Sequence, residues 1–262
     1  MAKIGQVSFE DDINVNGEHV VDNQKRWNSF EEIRNYAKTN GVTHLLFSGS
    51  TLCDKRKRDN NIVSSDVRKI GRFFKHFHVI FEVNKTGDKE SPYGLYAYSK
   101  GKKVLGPICQ LLWASFADEN LYCELWDKLE NGHRSVSLGR LKFMVLICGE
   151  LNILHNKQSD DNKVDGLRRP LCRNKIRSLD YDILFNPTHT PLTGLYGKYK
   201  RRLKYISKGR KGRTAMLNFN VPNTQKNRTA AFIAYRNGKE IKRKIEEQEV
   251  WSNEWAMRII EV

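Results

Sequence analysis

The sequence predicts one α/β domain in which sheets are covered by helices. Three observations carry that expectation. Helix-like and strand-like patterns alternate through the first two thirds of the chain, and strands dominate the end. Near the middle, residues 141–154 read LKFMVLICGELNIL, an apolar run too short for a membrane span and suited to a strand covered on both faces. Finally, no repeat or break in composition divides the 262 residues, a length sufficient for one large core.

Taken in order, residues 3–9 alternate loosely and predict a first strand. Ser29-Phe30-Glu31-Glu32 predicts a helix start, with Ser29 as N-cap, Glu32 closing the capping box and Asn40-Gly41 as the stop. Residues 42–47 (VTHLLF) form the next strand, closed by Ser48-Gly49-Ser50. A helix over residues 66–76, capped by Ser65, and a strand over 78–83 repeat the unit. Residues 94–98 and 103–105 flank a turn, and residues 120–131 carry a helical leucine stripe. The polar stretch 157–166 predicts the least ordered loop. Residues 180–186 predict a strand stopped by Pro187, and Tyr196, Tyr199, Leu203 and Ile206 mark the buried stripe of a further helix. Strands over 216–221, 230–235, 240–245 and 255–262 close the chain around an Asn237-Gly238 turn.

Composition narrows the function. Lys and Arg number 46 against 30 Asp and Glu, a formal net charge of +16, which favours a polyanionic partner, most often nucleic acid, sometimes an acidic protein. The five cysteines (Cys53, Cys109, Cys123, Cys148, Cys172) are odd in number and lack a CxxC pair, so a reduced, cytoplasmic setting is expected. The histidines are scattered, and no metal or other cofactor is expected. No signal core or membrane span is visible.

Cys148 lies where a buried strand gives way to Gly149-Glu150. Rigid strand followed by exposing turn is where α/β proteins place nucleophiles. A lone cysteine there is otherwise simple packing.

The basic residues crowd into runs. Residues 168–177 supply Arg168, Arg169, Arg173, Lys175 and Arg177; residues 198–213 supply Lys198, Lys200, Arg201, Arg202, Lys204, Lys208, Arg210, Lys211 and Arg213. The helical stripe is expected to turn Lys198, Arg201, Arg202 and Lys208 outward together. Lys55, Arg56, Lys57 and Arg58 form a third run. One such run reads as a solvated face; three point to phosphate contact, to backbone rather than bases, since no base-reading motif is present.

The order of segments resembles the nitrilase, or carbon–nitrogen hydrolase, superfamily almost end to end. AKIGQVSF is similar to its opening strand, EEIRNYAKTNGVTHLLF to its first helix and strand, and FMVLICGEL to its nucleophile motif. DYDILFNPTHTP, RTAMLNFNV and RTAAFIAYRNGKEI are similar to its later strands. The resemblance implies a single-domain αββα sandwich over residues 1–262, with a Glu-Lys-Cys active site. Carried over, Cys148 falls on the nucleophile, but Gly49 stands at the glutamate position and Gln110 at the lysine position. The resemblance thus implies a site that has lost its proton acceptor and its cationic clamp.

Two functions follow. One is a degenerate, non-catalytic binding or regulatory subunit, its basic surface docked on nucleic acid or on a nucleic-acid-handling protein; nitrilase-like modules accompany reverse transcriptases in some bacterial antiviral defence systems. The alternative is an active hydrolase using Cys148 with relocated helpers, for which Asp54, Glu150, Lys100, Lys102, Lys103 and Lys142 are the candidates. The resemblance also implies homo- or hetero-oligomers paired through the sandwich's helical faces.

Overall fold

The structure, a computed structural model, describes residues 1–13, 19–54, 64–85, 94–112, 119–154, 174–189, 196–222, 231–242, 249–251 and 254–262. Two sheets pack face to face between helices. The larger sheet runs in the order β15 (Glu249–Trp251), β16 (Trp255–Glu261), β1 (Lys3–Ile13), β3 (His44–Phe47), β5 (His78–Lys85), β6 (Gly94–Ser99) and β7 (Lys102–Ile108). Three short strands join it at the side: β2 (His19–Val20) and β12 (Val221–Pro222) on β1, and β4 (Leu52–Asp54) on β5. The smaller sheet runs β14 (Lys239–Glu240), β13 (Phe232–Arg236), β11 (Thr214–Phe219), β10 (Ile183–Thr188), β9 (Leu141–Val145) and β8 (Ser135–Leu138). Within the two sheets, β1, β3 and β5 are parallel, and so are β9, β10 and β11.

Helices α1 (Asn23–Thr39) and α2 (Ser64–Phe73) cover the larger sheet, where Phe30, Ile33 and Ile70 meet Phe47, Val79 and Phe81. Helices α3 (Glu119–Glu130) and α4 (Tyr196–Ser207) cover the smaller one, where Leu125, Leu203 and Ile206 meet Leu184 and Leu217. The third core lies between the sheets and is built from alternate strand residues: Ile4, Leu46, Ile80, Phe143, Val145, Ile183, Phe185 and Met216. The expected αββα sandwich is the observed architecture.

Some boundaries differ. Helix α1 begins well before Ser29, capped by Asp22, whose carboxylate accepts from the backbone N–H groups of Gln24 (2.9 Å) and Lys25 (3.2 Å). Ser29 sits inside the helix, its hydroxyl donating to the Lys25 carbonyl at 2.9 Å. Strand β10 runs through Pro187 to Thr188, because β9 pairs with it only as far as Phe185 and leaves that side without a ladder to break. The 157–166 loop lies outside the described residues, as does much of the expected 240–245 strand.

At the amino ends of β3 and β5, His44 and His78 pair in register and stack with ring centroids 4.6 Å apart. Burial pushes the His44 imidazole down to about 4, despite a ring nitrogen bonded to the Leu138 carbonyl at 3.0 Å, and His78 adds to the depression. An imidazole held neutral in the folded state while the unfolded one protonates near 6.5 makes the fold weaker as pH falls. The unfolding free energy from urea titration should therefore drop between pH 6.5 and 4, by as much as about 3 kcal/mol if His44 dominates, and His44→Gln should flatten that slope.

Candidate active site

Leu141–Val145 ends and the chain turns into a short 3-10 helix, Cys148–Leu154, with Cys148 at its first position and at φ +43°. A left-handed non-glycine residue is strained and must be held. Two side chains hold it. Asn186 of β10 donates to the Leu146 carbonyl and to the Cys148 carbonyl (3.2 Å). Glu150 closes the turn on itself: its carboxylate accepts from Ile147 N–H at 2.8 Å while its own N–H donates to the Ile147 carbonyl at 2.9 Å. The other carboxylate oxygen accepts from Leu111 N–H at 2.7 Å and pairs with Arg134 at 2.6 Å, both side chains having no solvent exposure. Arg134 also donates to the Cys109 carbonyl at 2.9 Å, so one buried ion pair fastens residues 109–111 to the cysteine turn.

Period two then delivers the partners. On β5 the residue after Ile80 on the inter-sheet face is Glu82; past Ile183, Phe185 and Pro187 of β10, the next is His189. His189 Nε2 lies 2.6 Å from the Glu82 carboxylate, and the Cys148 sulfur is close enough to raise the proton affinity of the ring. Glu82 is fixed from behind, accepting from Ser50 N–H at 2.9 Å in a turn tied by the Thr51 hydroxyl to the Ser48 carbonyl at 2.9 Å. Burial alone would lower the proton affinity of His189, but the Glu82 carboxylate and the Cys148 sulfur outweigh it, and the imidazole holds its proton well above the ordinary histidine range. Thiol, imidazole and carboxylate are thus in line, the arrangement that activates a nucleophile, its base and an orienting group.

The sandwich above the apolar core is polar at this end. Gln6, Ser8, Asn218 and Asn220 bridge the sheets, with Asn218 donating to the Val7 (3.0 Å) and Leu46 (2.7 Å) carbonyls and Asn220 to the Gly49 carbonyl (3.0 Å). The site opens at the carboxyl ends of the parallel strands, where α/β sheets bind ligands.

Solved structures share this architecture over nearly the whole chain. An amidase from Nesterenkonia sp. AN1 is 12% identical with a TM-score of 0.56, covering 100% of this chain and 93% of its own. A carbon–nitrogen hydrolase from Helicobacter pylori G27 is 8% identical with a TM-score of 0.55, covering 98% and 88%. Nit3 of Saccharomyces cerevisiae, a member of the nitrilase superfamily, is 8% identical with a TM-score of 0.53, covering 98% and 90%. The chain has the nitrilase fold. No protein-family profile and no curated sequence matches it.

Within the nitrilase fold, the expected site residues separate. Cys148 stands at the end of the central strand with the imidazole beside it. Gly49, at the expected glutamate position, borders the His189 ring: a Cβ there would lie 2.6 Å from His189 Cδ2 and 2.8 Å from the Thr188 carbonyl carbon. The glycine makes the space that the histidine occupies. Gln110 turns its amide to the Leu112 carbonyl at 2.6 Å. Of the expected relocated helpers, Glu150 is consumed by Arg134 and the turn. Lys142 opens β9 and pairs with Asp180 at 3.2 Å, at the strand end away from Cys148. Lys100 lies in the β6–β7 turn and Lys102 and Lys103 begin β7, at the sheet end that register places beside His78 rather than Glu82. The side chain of Asp54 is outside the described residues.

The helper that sequence reasoning missed is the His189–Glu82 pair, although a lone acid inside the apolar strand HVIFEV is the signal that could have found it. The basic face also needs correction. Lys198, Arg201, Lys208, Arg210 and Lys211 are exposed as expected, but Arg202 is buried and donates to Asn152 at 2.6 Å. Lys55, Arg56, Lys57, Arg58, Arg168 and Arg169 lie outside the described residues. Among the described residues no group of side chains could hold a metal, and no helix is long and apolar enough to cross a membrane.

Gly49→Ala should expel the His189 ring, costing about 1–3 kcal/mol in urea unfolding and slowing disulfide exchange of Cys148 with dithiodipyridine.

Proposed function

We propose that this chain is a cysteine-dependent hydrolase of carbon–nitrogen bonds, with Cys148 as nucleophile, His189 as proton carrier and Glu82 as its orienting carboxylate. The observation that carries this reading is the His189 ring lodged against Gly49, bonded to Glu82 and beside Cys148. A vestigial pocket was expected from Gly49 and Gln110. The imidazole–carboxylate pair supplies the proton acceptor that those positions lack, so the reading rests on a replaced base rather than a missing one. The structural neighbours support the chemistry: a variant of the Nesterenkonia amidase carries the acetamide moiety of fluoroacetamide on its active-site cysteine, at 13% identity and a TM-score of 0.53.

The reaction follows from these groups. The Cys148 sulfur, its proton already passed to His189, attacks an amide carbonyl carbon. With Nε2 engaged by Glu82, the ring's Nδ1 is the nitrogen that faces this transfer. The carbon–nitrogen bond then breaks, His189 returns the proton to the leaving nitrogen, and a thioester remains. Water attacks the thioester, giving its proton to His189, and the carboxylic acid and the thiol are released.

Cys148→Ala should abolish ammonia release from a panel of simple carboxamides, and His189→Ala should lower it about 10²–10⁴-fold. Glu82→Gln keeps the shape of the side chain but loses its charge, and its activity should fall between those of the wild type and His189→Ala. Full activity in His189→Ala would sink the reading.

A second, separate reading concerns the basic face. Lys198, Arg201, Lys204, Lys208 and Lys211 are exposed on and just beyond α4, and none has an ion-pair partner among the described residues. Neighbouring cations do: Lys200 pairs with Glu240 at 2.8 Å and Arg210 with Asp180 at 2.6 Å. An unneutralised strip in a chain of +16 suits nucleic-acid backbone contacted through phosphates. Binding to a mixed-sequence RNA should weaken with salt at a log–log slope of about −3 to −5, and Lys198→Glu with Arg201→Glu should shrink that slope by about two. A slope near zero would exclude it.

A further inference from the structure

The hydrolase reading leaves one charge unattended: nothing yet named receives the oxyanion that forms when the thiol adds to a carbonyl. Tyr199 stands on the helix that packs beside the cysteine turn. It lies in the first turns of α4, which packs on the 3-10 helix that Cys148 begins, and the residue is 2% exposed within the apolar core over the smaller sheet. Arg202, one turn further on, places its guanidinium 5.3 Å from the Tyr199 ring centroid and anchors to Asn152 of the same 3-10 helix at 2.6 Å. Ring and cysteine turn are thereby locked together.

The phenol itself has no hydrogen-bond partner among the described residues, whereas Tyr205 bonds Asn174 at 2.8 Å and Tyr235 bonds Glu240 at 3.3 Å. Apart from burial, the Cys148 sulfur is the largest electrostatic influence on the Tyr199 hydroxyl, ahead of Arg202.

Building on the hydrolase reading above, we propose that the Tyr199 hydroxyl donates a hydrogen bond to the substrate carbonyl oxygen as the Cys148–carbon bond forms and the carbonyl electron pair moves onto that oxygen. No proton is transferred. Burial, with the sulfur nearby, pushes the phenol up to about 12, so it stays a neutral donor throughout the working range. A preorganised donor in a water-poor site suits this role, and it would stand in for the cationic clamp that Gln110 does not supply.

Two reactions of the same thiol test it on the full chain. Alkylation by iodoacetamide displaces iodide at a saturated carbon and forms no oxyanion; acylation by p-nitrophenyl acetate passes through one. Tyr199→Phe keeps the ring and its packing, and Cys148→Ala corrects for the other cysteines. The expected result is acylation of Cys148 slowed about 10–10³-fold in Tyr199→Phe while alkylation is unchanged. Equal slowing of both reactions, or no slowing of acylation, overturns the proposal and leaves the hydrolase reading standing. A wild-type Cys148 that is not acylated at all overturns both.

Discussion

The contact between Glu82 and His189 is the constraint around which this end of the molecule is arranged. It joins side chains 107 residues apart, one from each sheet, so it exists only when the sandwich has closed. A carboxylate in such a place is costly unless it is paired. Here Ser50 N–H and the His189 ring both bond it. The turn carrying Ser50, itself at φ +51°, is shaped to present that N–H. Each strained residue of the site is therefore matched by a fixed partner: Ser50 by Glu82, Cys148 by Asn186 and Glu150.

The rest of the fold supplies rigidity at little cost in specificity. Lower in the sandwich the inter-sheet face is mainly apolar, with His44 bonded to the Leu138 carbonyl; toward the carboxyl ends it becomes a lattice of Gln6, Ser8, Ser48, Asn218 and Asn220 bonded across the gap. Apolar packing tolerates small slips, whereas side-chain amides bonded to particular carbonyls do not. Asn218 reaches the carbonyls of two neighbouring strands at once, which fixes the sheet-to-sheet offset on which the Glu82–His189 distance depends. The Arg134–Glu150 pair acts similarly between the cysteine turn and residues 109–111.

Much of this was legible in the sequence, and the failures have physical causes. Alternation and apolar runs located the long strands, because burial on one or two faces leaves a direct trace, but not the short β2, β4, β8, β12 and β15. Cys148 stood out because a thiol at the end of LKFMVLI is a local pattern. His189 did not, since nothing near it in the chain announces Glu82; only the register of β5 against β10, through the sandwich, brings them together. Arg202 was misplaced for a related reason. A helical wheel puts it beside Leu203 on the border of the buried stripe, and the Asn152 carboxamide decided which side it took.

A matching of positions against a known family treats Gly49 as a loss, because a residue with no side chain can hold no proton. The three-dimensional reading differs in sign. Any side chain at position 49 would occupy the volume of the His189 ring, so a glutamate there and the present histidine exclude one another. The glycine is then a condition for the imidazole, and the two departures are one exchange. On the proposed hydrolase reading, the base comes from the smaller sheet and the larger sheet contributes the carboxylate that orients it from one strand over. Such an exchange would keep the nucleophile and its strained turn and change only which strand end delivers the proton carrier.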